Sequence, residues 1–204
     1  FAAVGESRKL AWVMQILLDA SKEQEERKTL SLRLARVYGE QLGDAHSGFE
    51  LLRQTIAEQP SESEVADQLE VLAAVGDWNE ELATAYAEII AREGLPPDVK
   101  IALARRAATV YDDRLRRSES AEPFHKIVAA GPELDGQAFG RLKALYQERE
   151  RWADLRALYS TWVERTARAD IDLFHDLAGA RIPGRDEDGI VPGGIELPMG
   201  GDGQ

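Results

Sequence analysis

The sequence contains no cysteine. Disulfides, thiol nucleophiles and thiolate metal sites are therefore excluded, and the redox compartment leaves no trace. Histidine is scarce, with three in 204 residues, and lysine supplies only six of the 25 basic side chains. No apolar run approaches the roughly 18 residues of a membrane span, so membrane insertion is not expected. Positive charge is in deficit: 25 Lys and Arg face 37 Asp and Glu, a formal net charge of −12. Binders that track phosphate depend on clustered Lys and Arg, so nucleic acid is not an expected partner. The opening FAAVGESRK has neither an initiator Met nor the layout of a signal peptide. We read the chain as processed or as a piece of a longer one, and expect it in the cytoplasm because no export signal is visible.

What is present is ordinary for a globular protein, with 44% apolar and 30% charged residues. Glycine and proline divide the chain. The last 24 residues, RIPGRDEDGIVPGGIELPMGGDGQ, hold seven of the 17 Gly and three of the eight Pro. We therefore divide the chain into a body, 1–182, and an extended or flexible Gly/Pro-rich tail, 183–204. The −12 is not concentrated in those last 24 residues, where two Arg offset five acids.

The body reads as helix after helix. Leu10, Met14, Leu17 and Leu18 share a face over Arg8–Ser21, and Leu30, Leu34, Val37 and Tyr38 recur at helical spacing over Glu25–Leu42. A turn at Gly43-Asp44 leads into a helix ending at Gln59-Pro60. Ser61 with Glu64, and Asp77 with Glu80, have the spacing of capping boxes for the next two helices, which stop at Gly76 and near Gly94. Further helices are expected over 98–114, 120–130, 136–149, 151–167 and 170–180. No segment alternates as a half-buried strand would, so the fold class is all-α.

Three landmarks recur in order. Val37-Tyr38 returns as Val110-Tyr111 after 73 residues, Pro60 as Pro132 after 72, and Trp78 as Trp152 after 74. Leu72 precedes Trp78 by the same six residues that separate Tyr146 from Trp152. These offsets predict two copies of a unit of about 73 residues, each made of two helical hairpins of about 36. Small Ala35, Ala73, Ala108 and Ala157 would allow close helix approach. Trp78, Tyr86, Trp152 and Tyr159 would fill the space between hairpins.

The pattern resembles the tetratricopeptide repeat superfamily. Leu34, Ala35 and Tyr38 match its first-helix positions, Gly76, Asp77 and Trp78 its turn, and Pro60 its closing proline. Tyr146, Trp152, Leu155 and Tyr159 match a further copy. The resemblance covers roughly residues 8–180. It implies a right-handed α-solenoid of stacked antiparallel hairpins, working as a non-enzymatic scaffold or adaptor. Such a scaffold would bind a protein or peptide through its concave face, as part of a larger assembly. The alternative is a regulatory or substrate-recruiting segment of a larger enzyme.

No residue set points to catalysis, and no cofactor or metal is expected. His46, His125 and His175 fall in different repeats and in no metal motif, although Asp172 could share a helix face with His175. Asp186-Glu187-Asp188-Gly189 fails as a calcium loop, because Gly184 and Ile195 would fall where oxygen donors are required. The carboxylate pairs Asp112-Asp113 and Glu25-Glu26 read as solvated helix faces. Arg105, Arg106, Arg114, Arg116 and Arg117 form a basic stretch that is either a solvated helix end or a seat for an acidic partner segment. In the tail, Ile190, Val191, Ile195, Leu197 and Met199 stand in an acidic, glycine-rich frame. That arrangement suits either a linker or an extended docking peptide whose apolar pairs enter pockets, in cis or on a partner.

Overall fold

The computed structural model describes residues 2–179, with side chains described over 4–168. Among these residues the chain is entirely helical. The elements are α1 (Ala2–Ala20), α2 (Gln24–Arg36), α3 (Ala45–Glu58), α4 (Ser63–Gly76) and α5 (Asn79–Ile90). Then come α6 (Pro97–Thr109), α7 (Ser118–Ala129), α8 (Gly136–Glu148) and α9 (Trp152–Gly179). α2 and α6 each end in a wider π-turn, Val37–Gln41 and Val110–Arg114. The chain forms two compact units, Phe1–Trp162 and Val163–Gln204. In the second, the end of α9 is the described part.

Consecutive helices from α1 to α8 pack on one another, and α5 packs on α3 and on the second π-turn as well. The central core is one cluster. Phe49, Leu52 and Ile56 of α3 meet Val65, Leu69 and Ala73 of α4, with Leu82, Tyr86 and Ile89 of α5 and Leu103 and Ala107 of α6. Spacings of three and four place these residues on one stripe of each helix. Each fully buried Leu, Ile or Phe contributes roughly 1.5–3 kcal/mol. Gly48 permits the α2–α3 approach: a Cβ there would lie 2.9 Å from the carbonyl oxygen of Ala35.

The duplication holds with one constant offset. α2 and α6, the two π-turns, α3 and α7, α4 and α8, and α5 and α9 all begin 73 residues apart. The helix stops repeat as well. Leu42 N–H donates to the Val37 carbonyl (3.1 Å), and Leu115 N–H to that of Val110 (3.0 Å). Trp78 N–H donates to Ala73 (2.9 Å), and Arg151 N–H to Tyr146 (2.8 Å). Gly43 and Arg116 share the left-handed conformation, with φ of 67° and 57°, as do Asp77 and Glu150, with φ of 58° and 51°.

The constant offset corrects the expected pairing of the tryptophans. Trp78 corresponds to Arg151, and Trp152 to Asn79. Trp78 packs on Phe49 with ring centroids 5.2 Å apart. Trp152 stands 60% exposed and Tyr159 40%, so neither fills a space between hairpins as Tyr86 does. Ala35, Ala73 and Ala108 are buried as expected, whereas Ala157 is exposed.

Both expected capping boxes are absent. α4 has Glu62 at its N-cap with no side-chain bond, so Ser61 lies one residue too early. Asp77 is the left-handed stop of α4 and cannot also be the extended N-cap of α5, which falls on Trp78. Side-chain caps occur instead at Asp44, accepting from Ser47 N–H (3.1 Å), and at Asp135, accepting from Ala138 N–H (2.8 Å). Gly76 is needed for space, because a Cβ there would fall 2.5 Å from the Trp78 indole. The expected helices 151–167 and 170–180 are one helix, α9. Ala167-Arg168-Ala169 contains no breaker comparable to the Gly94-Leu95-Pro96-Pro97 that follows α5.

Candidate interaction groove

α2 and α4 run over α3 and leave a groove between them. Its walls are Leu32, Gly39, Val71, Leu72 and Val75, and Leu52 lies at its floor. The cavity measures about 240 Å³. Val71 and Val75 are 53% and 74% exposed, although a helix that ended in water would tolerate polar residues at both positions. Arg36 and Glu40, one helical turn apart and both largely exposed, place an ion pair of 4.0 Å on the wall. The site is an apolar slot with one charge of each sign at its edge.

The same position in the second copy, 73 residues on, has different chemistry. Leu32, Gly39, Leu52 and Val75 are replaced by Arg105, Asp112, His125 and Glu148. His125 Nε2 lies 2.7 Å from Asp112 Oδ2, and both side chains are buried. Arg141 of α8 reaches Asp112 (3.7 Å) and Asp113 (3.1 Å), while Arg105 pairs with Asp135 (2.9 Å). These charged side chains stand where the first copy has apolar walls, and the cavity beside His125 is about 20 Å³, space for about one water. The His–Asp pair therefore fills a gap between hairpins where the first copy has Leu and Gly. In the sequence, Asp112 is one of a carboxylate pair and His125 stands alone. Their 13-residue separation becomes contact only through the π-turn and α7.

The basic stretch finds its acidic partner within the chain. Arg106 bridges Asp67 (2.6 Å) and Glu70 (2.8 Å), Arg114 reaches Glu70 (3.6 Å), and Arg117 pairs with Glu80 (2.6 Å). Tyr86 hydroxyl also donates to Glu70 (3.0 Å), and burial together with the Glu70 charge pushes this phenol well above its ordinary range. Arg106, Arg114 and Arg117 thus fasten α6 and the end of its π-turn to α4 and α5, whereas Arg116 of the same stretch is exposed.

A second substitution between the copies is as pronounced. Phe49 and Trp78, whose rings pack at a tilt in the first copy, correspond to Glu122 and Arg151. Arg151 grips Glu122 with both terminal nitrogens, at 2.6 and 3.1 Å. Lys126 adds a contact of 2.7 Å, and Arg151 lies 4.7 Å from the centre of the Tyr146 ring. The Arg151 guanidinium, with Lys126, holds the Glu122 carboxyl down at about 2.

Compared with family models, curated proteins and solved structures, the chain has no significant match in any of the three. Its reading therefore rests on its own geometry.

The other expected positions are soon placed. His46 is exposed and meets the Trp78 ring edge-on at 5.0 Å. Glu25 pairs with Lys28 (2.6 Å), and Glu26 accepts from the Ser21 hydroxyl (2.6 Å). No group of three or more His, Asp or Glu among the described residues could hold a metal. Among them, too, no helix is long and apolar enough to cross a membrane. Asp172 and His175 fall on α9 beyond the described side chains. Ile190, Val191, Ile195, Leu197 and Met199 lie outside the described residues altogether.

Proposed function

We propose that the chain is a tetratricopeptide-like α-solenoid that serves as a non-enzymatic interaction scaffold, with the α2–α4 groove as its peptide seat. The open apolar slot carries this reading. Val71 and Val75 remain largely exposed beside a cavity of about 240 Å³, while the corresponding positions in the second copy carry ion pairs. In a right-handed stack of hairpins, α2, α4, α6 and α8 would line the concave face, so the slot opens on the surface that such scaffolds present to partners. Its ligand would be a peptide segment bringing two or three aliphatic or aromatic anchors, flanked by charges that suit Arg36 and Glu40. The tail, with Ile190-Val191 and Ile195/Leu197, supplies anchors of that kind and is proposed as a competing ligand.

Peptides selected from a displayed random library against the intact chain test this. They should carry apolar anchors, and V71E or V75E should weaken their binding by about tenfold or more. Removing residues 183–204 should tighten it if the tail competes. Selected peptides that bind V71E and V75E as well as the parent would overturn the assignment.

A further inference from the structure

A second apolar surface, separate from the groove and independent of its reading, lies on α1. Leu10, Val13 and Leu17 are 45–50% exposed along it, with Trp12 and Ile16 widening the strip. Large apolar side chains this exposed on one helix make a face prepared for packing.

The internal repeat says what packing it is prepared for. α1 stands ahead of α2 as α5 stands ahead of α6, although three residues link the first pair and six the second. Aligned at an offset of 72 by their apolar spacing, Leu10-Ala11, Met14 and Leu17-Leu18 correspond to Leu82-Ala83, Tyr86 and Ile89-Ile90. Every one of those α5 residues is buried.

The neighbours explain why α1 differs. α5 packs on α6 and the second π-turn, and also on α3 and α4. α1 packs on α2 and the first π-turn, the 73-residue counterparts of the first two, and on no other described element. The burial follows. Ala11 and Leu18 are buried, as Ala83 and Ile90 are. Leu10, Val13 and Leu17 are bare, whereas their counterparts Leu82, Ala85 and Ile89 are buried in the helix that has α3 and α4 against it.

We propose that α1 is a docking face for a partner that brings one two-helix hairpin of the α3–α4 kind. The partner's helices would lie on Leu10, Val13 and Leu17 as α3 and α4 lie on α5. The hairpin must present a stripe of aliphatic and small residues, like Val65, Leu69 and Ala73 of α4, so that its backbone can approach closely. Bulky Trp12, where α5 has Thr84, requires that the rim of the partner leave room or offer an apolar contact.

The probe is the hairpin already present in the chain. A copy of residues 44–78 joined ahead of Ser7, in place of residues 1–6, reproduces the spacing between α4 and α5. Amide exchange across residues 8–18 should slow by about tenfold or more. L10E with L17E in the same fusion should abolish the gain. Unchanged exchange in α1, or added residues that show no helical signal by circular dichroism, would overturn the proposal. Sedimentation of the unfused chain supplies a second arm, in which a monomer is expected from micromolar to hundreds of micromolar. A dimer abolished by L10E would assign the face to a second copy instead and would likewise overturn it.

Discussion

Replacing Glu122 with Gln isolates the ion-pair cluster that stands where the first copy has the packed rings of Phe49 and Trp78. The carboxylate receives both Arg151 nitrogens, Lys126 and the Tyr146 hydroxyl (3.2 Å), and only 14% of its side-chain surface meets water. Arg151 and then Lys126 lower its pKa from 4.5 to about 2, a difference equivalent to about 3 kcal/mol at full strength. The cations are more open, with side chains 37% and 54% exposed, and screening by water reduces the expected contribution to about 1–2 kcal/mol. The sign follows from the folded pKa lying below the unfolded one. The stabilisation is complete above about pH 4.5 and is lost as the pH falls towards 2. Urea unfolding followed by circular dichroism should therefore show E122Q less stable by about 1–2 kcal/mol at neutral pH, with the gap shrinking by about pH 3. A gap that stays constant between those pH values, or no gap at neutral pH, would refute the assignment of the stabilisation to the charged carboxylate.

G48A should lower stability by about 1–3 kcal/mol in the same assay, because its Cβ would meet the Ala35 carbonyl oxygen at 2.9 Å and backbone cannot swing aside as a side chain can. D135A removes both the cap on Ala138 N–H and the Arg105 pair, and should cost about 1 kcal/mol. S61A, at a residue that the sequence marks as a cap and the structure does not use, should change stability by less than about 0.5 kcal/mol.

The comparison of copies shows how far local pattern reaches. Val37-Tyr38 and Val110-Tyr111 mark the starts of the two π-turns, and their 73-residue offset is the true period of every helix start from α2 to α9. Pro60/Pro132 and Trp78/Trp152 miss it by one residue each. A proline after a helix and an aromatic in a turn tolerate small shifts that a helix start does not. Trp152 sits beside the true counterpart of Trp78, and pattern matching accepted it because side-chain type outweighs a one-residue slip. Asp77 was legible as a helix-boundary residue, but its left-handed φ assigned it to the end of α4.

By itself, the sequence determined the helical class, the turns marked by glycine or proline and the duplication, because apolar spacing and breakers act within a few residues of their own position. The tertiary structure alone decided which surfaces are free. Arg106 is spent on Asp67 and Glu70, Asp112 on His125, and Arg151 on Glu122. All of these partners are brought together by the packing of one helix on another. The same packing leaves the α2–α4 slot and the outer face of α1 uncovered, since exposure belongs to a residue's neighbours in space and not to its type.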